Sequence, residues 1–199
     1  MRREEWDRKY SEKELLWSAE PNRFLVAELA GLPPGRALDL ACGEGRNAIW
    51  LAELGCDVTA VDFSEVAIGK ALQIAARRQV DVRFLRADLL EYEPEASAFD
   101  LVLVFYLQLP ADELDVVLSR AAAAVAPDGV FLLVGHDSSN LTHGSGGPSE
   151  PSVLYTPEDI VAALRGLEIE KAERVLRSVE GAERPAIDAL VRARRHAPS

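Results

Sequence analysis

A short apolar segment, Arg36-Ala37-Leu38-Asp39-Leu40, runs directly into Ala41-Cys42-Gly43-Glu44-Gly45, and residues with helical spacing follow. No other feature of the chain constrains its fold as much. The apolar run has the length of a buried strand, and the small residues after it let the backbone turn tightly and approach a ligand. Across 45–54, Ala48, Leu51, Ala52 and Leu54 recur at helical spacing. A strand that enters a helix through such a turn is the first unit of an alternating α/β fold. In open parallel sheets ligands bind beyond the carboxyl ends of the strands, and the helix that follows offers unpaired N–H groups there. The same junction is therefore the first candidate site.

The alternation continues to about residue 135. Asp57–Val61 reads as a second strand. Ser64 is placed to cap a helix over Val66–Ala76. Val82–Leu85 alternates as a third strand. Asp100–Leu107 is the most apolar segment and is predicted to be the central strand; Asp112–Val125 reads as a helix stopped by Pro127-Asp128-Gly129, and Val130–Val134 is a fifth strand. Repeated strand–helix units with near-continuous apolar strands imply a parallel sheet covered on both faces. The last third differs. Residues 136–155, rich in Ser, Gly and Pro, read as a long loop, and loops of that length in a compact domain are usually functional or disordered. Thr156 is predicted to cap a short helix over Pro157–Leu164. Glu168–Arg177 and Ala186–Arg194 are expected to form an antiparallel pair at a sheet edge. Residues 1–22 form a charged arm carrying Trp6, Tyr10 and Trp17, which either packs on the body or covers the ligand.

A single domain over 1–199 accommodates all of these elements. The formal net charge of −11 disfavours a phosphate backbone as partner, and the basic cluster Arg192–His196 reads as a solvated strand end or tail. Cys42 and Cys56 form no CxxC pair and have no neighbouring His, so no zinc site or disulfide framework is expected. Two free thiols suit a reducing cytoplasm. The N-terminus lacks the apolar core of a secretory signal, and the longest apolar run, Leu101–Leu107, has strand length, so no membrane span is expected.

Asp62 ends the second strand, 19 residues after Gly43. A carboxylate there can accept from both hydroxyls of a ribose, or it can serve the local turn. Gly43-x-Gly45-x-x-Ala48 with Asp62 also satisfies the dinucleotide fingerprint in its alanine variant, so a nicotinamide-dependent oxidoreductase is one reading. Asp39, inside the first strand, weighs against a pyrophosphate. Asp88, at the end of the third strand, is placed to accept from an adenine amino group. Three strand-end carboxylates suit a ligand that carries a sulfonium and an ammonium better than one with two phosphates.

With these residues in view, the chain resembles the class I S-adenosylmethionine-dependent methyltransferases. Leu38-Asp39-Leu40-Ala41-Cys42-Gly43-Glu44-Gly45-Arg46-Asn47 is similar to that family's first motif, with Ala41 where a glycine is usual. Asp62-Phe63 falls on its ribose-binding position, Asp88-Leu89 on its adenine-proximal position, and Pro127-Asp128-Gly129 resembles its post-motif turn. Gly43-x-Gly45-Arg46-Asn47 and the arm pattern Trp6-Asp7-x-x-Tyr10, with Trp17 downstream, resemble the small tellurite-resistance and thiopurine-type methyltransferases. The resemblance implies a Rossmann-like, seven-stranded, mostly parallel sheet with helices on both faces and an antiparallel C-terminal edge hairpin. It implies S-adenosylmethionine as cofactor, held by Asp39, Ala41, Gly43, Gly45, Asn47, Asp62, Phe63, Asp88, Leu89 and Phe105 and covered by Tyr10 and Trp17.

The acceptor side should follow the fourth and fifth strands. Tyr106 and His136 are the candidate catalytic groups, His136 as a general base or as a locally bonded strand-end histidine. No Asn-Pro-Pro-Tyr motif is present, and its absence weakens nucleic-acid bases and protein glutamines as acceptors. A small-molecule acceptor carrying a thiol, chalcogen, oxygen or nitrogen nucleophile is expected, with a non-catalytic cofactor-binding module as the alternative.

Overall fold

A computed structural model of the chain describes residues 3–197, so the extreme ends of the domain expected over 1–199 lie outside the described residues. Helix α1 (Arg3–Ser11) opens the arm. Helix α2 (Arg23–Glu28) follows, capped by Asn22, whose side chain accepts from the Phe24 amide. The expected alternation comes next: β1 (Arg36–Leu40), α3 (Arg46–Glu53), β2 (Asp57–Asp62), α4 (Glu65–Arg78), β3 (Arg83–Arg86), β4 (Phe99–Phe105), α5 (Ala111–Ala124) and β5 (Val125–His136). Ser64 caps α4 by accepting from the Ala67 amide.

The strands form one seven-stranded sheet in the order β3-β2-β1-β4-β5-β7-β6, once β6 (Glu168–Arg177) and β7 (Ala186–Arg194) are included. The first five strands pair in parallel. β7 pairs antiparallel with both β5 and β6, so the expected edge hairpin is present and β4 occupies the centre.

Strand alternation divides the core between the two faces. Leu101, Leu103 and Phe105 join Leu25, Ala48, Leu51 and Ile68 in one cluster, under α2, α3 and α4. Val102 and Val104 join Leu114, Val117, Leu118 and Ile160 in the other, under α5 and α7 (Pro157–Ala163). Each fully buried Leu, Ile or Phe of these layers contributes about 1.5–3 kcal/mol relative to exposure.

The structure departs from expectation in four places. β4 stops at Phe105 because Tyr106 turns into the left-handed region, with φ 54°. Pro127-Asp128-Gly129 does not separate α5 from the next strand; α5 ends at Ala124, and the tripeptide lies within β5, where Arg195 N–H donates to the Gly129 carbonyl. The 136–155 loop is not structureless: it holds α6 (Asn140–His143), a short 3₁₀ turn over Pro151–Val153 and a parallel bridge between Asp137 and Tyr155. The basic C-terminal cluster is not a solvated tail either. Arg192 and Arg194 pair with Glu170, and Arg195 donates to the Ala122 and Val125 carbonyls at 2.8 and 2.7 Å, satisfying the C-terminus of α5.

Candidate active site

The loop after β1 is held by its own backbone. Ala41, Gly43 and Gly45 all have positive φ, at 62°, 55° and 79°. The turn thus demands left-handed geometry at the position where Ala41 replaces a glycine, at a cost on the order of 1–2 kcal/mol. A side chain at Gly45 would be both strained and tight: at φ 79° a Cβ would lie 3.0 Å from the Phe84 ring and 3.1 Å from Ala71. At Gly43 a Cβ would approach the Tyr10 hydroxyl to 2.8 Å, so the arm lies directly on the loop.

Beside the loop is a cavity of about 400 Å³, within the range of small-molecule sites. Of the residues picked out in the sequence, Tyr10, Trp17, Ala41, Gly43, Asn47, Asp62, Phe63, Asp88, Leu89, Phe105, Tyr106 and His136 all line it. Asp39 and Gly45 are not in its wall. Gly45 acts from behind, as the N-cap of α3. Asp39 is buried beneath the loop, and neither carboxylate oxygen makes a hydrogen bond. Burial, and then repulsion from Asp62, push its carboxyl up to about 7; the Arg46 charge offsets this only in part.

Asp62 is buried and already committed on one side. Oδ2 accepts from the Gly43 amide at 2.8 Å and Oδ1 from the Ser64 amide at 2.9 Å. Each oxygen keeps a further lone pair. Burial raises its carboxyl above the ordinary range despite these bonds. Asp88 is exposed at the rim, with Oδ1 accepting from the Leu90 amide at 2.9 Å.

The arm is tied down by groups that sequence reasoning did not single out. Glu44, between the two glycines and only 5% exposed, accepts from the Leu16 amide at 2.9 Å and the Trp17 amide at 3.2 Å. Lys70 on α4 pairs with Glu44 at 3.1 Å and donates to the Tyr10 and Lys13 carbonyls. Asp7 accepts from the Ser64 hydroxyl at 2.5 Å. Burial and the nearby Asp62 carboxylate raise the Tyr10 phenol well above its ordinary pKa.

At the far end of the cavity Tyr106 and His136 face each other, ring centroids 4.9 Å apart. Between them stands Asp188, fully buried on β7. Its Oδ2 accepts from the Tyr106 hydroxyl at 2.8 Å and from Arg177 Nε at 2.7 Å, and its Oδ1 lies 3.3 Å from His136 Nδ1. Burial opposes ionisation of Asp188, but the His136, Arg177 and Tyr106 contacts hold its carboxyl below the ordinary range. Burial and then the Asp188 charge push the Tyr106 phenol up to about 12; at neutral pH Tyr106 is a hydrogen-bond donor, not a base. Asp188 and Arg177 escaped the sequence reading. The available signal was an acid inside the otherwise apolar run Ala186–Val191. Among the described residues no group of three or more His, Cys, Asp or Glu side chains is placed to hold a metal ion, and no helix is long and apolar enough to cross a membrane.

Residues 37–129 match the family model for a methyltransferase domain. The putative methyltransferase YqeM of Bacillus subtilis (strain 168) is 36% identical over 115 residues, covering 55% of this chain and 46% of that protein. Trans-aconitate 2-methyltransferase of Rhizobium meliloti (strain 1021) is 35% identical over 116 residues, covering 57% of this chain and 43% of that one. The chain spans about half the length of the curated relatives it matches. A solved structure from work on the conversion of a disulfide bond into a thioacetal group during echinomycin biosynthesis superposes with a TM-score of 0.76 at 26% identity, covering 99% of this chain and 93% of that one. The sheet order, the glycine loop with its acids and these likenesses make the chain similar to the class I S-adenosylmethionine-dependent methyltransferases, with the likeness to their methyltransferase domain carried by residues 37–129.

Proposed function

We propose that this chain binds S-adenosylmethionine in the cavity beside the glycine loop and transfers its methyl group to a small-molecule acceptor at the His136–Tyr106 end. One observation carries the reading: a buried, unpartnered carboxylate, Asp39, lies under the loop that walls a cavity of about 400 Å³. A carboxyl poised at about 7 is ionised most readily by a neighbouring positive charge, and the cofactor carries both a sulfonium and an ammonium. Two phosphates against Asp39 and Asp62 would instead add like charge to acids that burial already disfavours, which counts against the nicotinamide reading.

Each residue then has a task. Asp62 has lone pairs left for the ribose hydroxyls after the Gly43 and Ser64 amides are served. Asp88 and Leu89 stand where adenine would lie, with Phe63 and Phe105 on the wall beside them. Ala41, Gly43 and Asn47 allow close backbone approach, Gly45 sets the start of α3, and Tyr10 and Trp17 cover the site. When bound, S-adenosylmethionine supplies an electrophilic methyl carbon on a sulfonium sulfur. The protein's own contribution is alignment and exclusion of water: the arm closes one end, while Tyr106 and His136 hold the acceptor at the other. The net charge of −11 favours a small molecule over RNA, and the free, partly buried thiols suit a reducing cytoplasm.

Calorimetric titration with S-adenosylhomocysteine and with NADH tests the donor assignment; binding of NADH alone would overturn it. Turnover of S-adenosylmethionine across thiols, selenite, tellurite, phenols and amines tests the activity. Cofactor binding without turnover on any acceptor would leave a binding module instead of an enzyme.

A further inference from the structure

We propose that Asp188 is a positioning residue that fixes His136 as a general base, and that the acceptor is a phenolic or enolic hydroxyl; this deepens the methyl-transfer reading and rests on it.

The register of β5 against β7 sets His136 directly opposite Asp188, and directly opposed residues of an antiparallel pair share one face. His136 Nδ1 is buried and makes no well-aligned hydrogen bond, but it stands 3.3 Å from Asp188 Oδ1, close enough for that carboxylate to hold a proton on it. Gly147 closes over the same nitrogen, with space for no Cβ: one built there would lie 2.9 Å from Nδ1. The carboxylate can only accept, so it selects the tautomer with the proton on Nδ1. The ring atom left for a ligand is then Nε2, with a free lone pair, on a side chain that lines the cavity. The buried Asp188 charge also stabilises the imidazolium that forms once Nε2 takes a proton.

A thiolate or reduced chalcogen needs no base, so an oriented histidine–carboxylate pair has a task only for an acceptor with a proton to lose. The charges around the pair distinguish oxygen from nitrogen. Asp188 from β7 and Tyr106 at the end of β4 stand against His136, Arg177 from β6 bonds both of them, and the Tyr155 ring lies against Gly135, next to His136 in the chain. Asp188 offsets Arg177. Arg46 also lines the cavity, near Tyr106 and Arg177, and makes no hydrogen bond or ion pair of its own among the described residues. A guanidinium free of hydrogen bonds can donate to an acceptor oxygen and stabilise the negative charge developing on it, whereas an amine acceptor develops positive charge on methylation. Leu107 and Leu109, which follow Tyr106 in the chain, add apolar wall suited to a planar carbon skeleton.

The hydroxyl proton passes to His136 Nε2, the oxygen electron pair forms the new bond to the methyl carbon, and the carbon–sulfur pair stays on sulfur. The imidazolium then returns its proton to solvent.

Two readouts test this. First, the His136 tautomer is read from side-chain ¹H–¹⁵N spectra of the unliganded wild-type protein and of Asp188→Asn. The proposal requires the Nδ1–H form in the wild type and its loss in the variant; an Nε2–H form in the wild type overturns it even if the variant fails to fold. Second, the wild type and His136→Gln are assayed with S-adenosylmethionine against para-substituted phenols and 4-chlorothiophenol. Phenols should be methylated, and His136→Gln should lower kcat by about 10²–10⁴-fold, with the largest loss for the least acidic phenols and S-adenosylhomocysteine affinity unchanged. Methylation of the thiophenol without any phenol overturns the acceptor class while leaving methyl transfer intact. Failure of the wild type to bind S-adenosylhomocysteine would remove the parent reading itself.

Discussion

Asp39→Asn separates the structural cost of the first-strand carboxylate from its use. The wild-type carboxyl is shifted from 3.8 to about 7, with burial the largest cause and the Asp62 charge next. At about 1.4 kcal/mol per pKa unit, ionised Asp39 makes the folded state worse, relative to the unfolded chain, by about 4 kcal/mol. The folded protein holds the extra proton between about pH 4 and pH 7, so stability falls as pH rises through that window and the full cost is present above it. Asparagine removes the charge but leaves a buried amide with no partner, a pH-independent cost of about 1–3 kcal/mol. The variant should therefore be the less stable protein near pH 4 and match or exceed the wild type near pH 8. Urea unfolding of both proteins without ligand, from pH 4 to pH 8, measures the crossover. Each kcal/mol corresponds to about 2–4 °C in Tm for a chain of this size. A stability difference that stays constant over this range would refute the assignment of an ionisation cost to Asp39. The ligand half of the reasoning is read from the ratio of S-adenosylmethionine to S-adenosylhomocysteine affinities, since only the former carries the sulfonium charge. The variant should lose preference for the charged form, and an unchanged ratio would confine Asp39 to folding.

Asp62→Ala should weaken S-adenosylhomocysteine binding by about 1.5–3 kcal/mol; calorimetry that finds the affinity unchanged removes the ribose role. Gly45→Ala places a methyl 3.0 Å from Phe84 at φ 79° and should destabilise the fold by about 1–3 kcal/mol, seen as a lower denaturation midpoint. Glu44→Ala removes the acceptor of the Leu16 and Trp17 amides and the partner of Lys70. Limited proteolysis should then cut within residues 3–20 faster than in wild type and S-adenosylhomocysteine should dissociate faster; unchanged cleavage would mean that α1 and the Lys70 contacts suffice to hold the arm.

The alternating order of strands and helices, the glycine loop and the strand-end acids Asp39, Asp62 and Asp88 were legible without coordinates. Those signals are local: apolar runs of strand length, helical spacing, capping residues and small residues at a turn depend on neighbours within one or two elements. The 12 cavity-lining residues anticipated from the sequence lie on such elements, at the carboxyl ends of strands or in the arm. What spacing could not supply was which groups meet across the sheet. Helix α2 is a six-residue helix with too short a periodicity to stand out. Glu44 reads as a solvated loop acid until the arm folds back onto it, 27 and 28 residues away in sequence. Tyr106 read only as a candidate catalytic group on the acceptor side; Asp188 and burial hold its proton in place and make it a donor. Asp188 and His136 are 52 positions apart, and only the insertion of β7 between β5 and β6 sets them face to face. The sequence by itself located the candidate site because a glycine turn at a strand end depends on local backbone geometry; the tertiary structure decided what surrounds His136 because antiparallel register, a long-range property, chooses which side chains share a face.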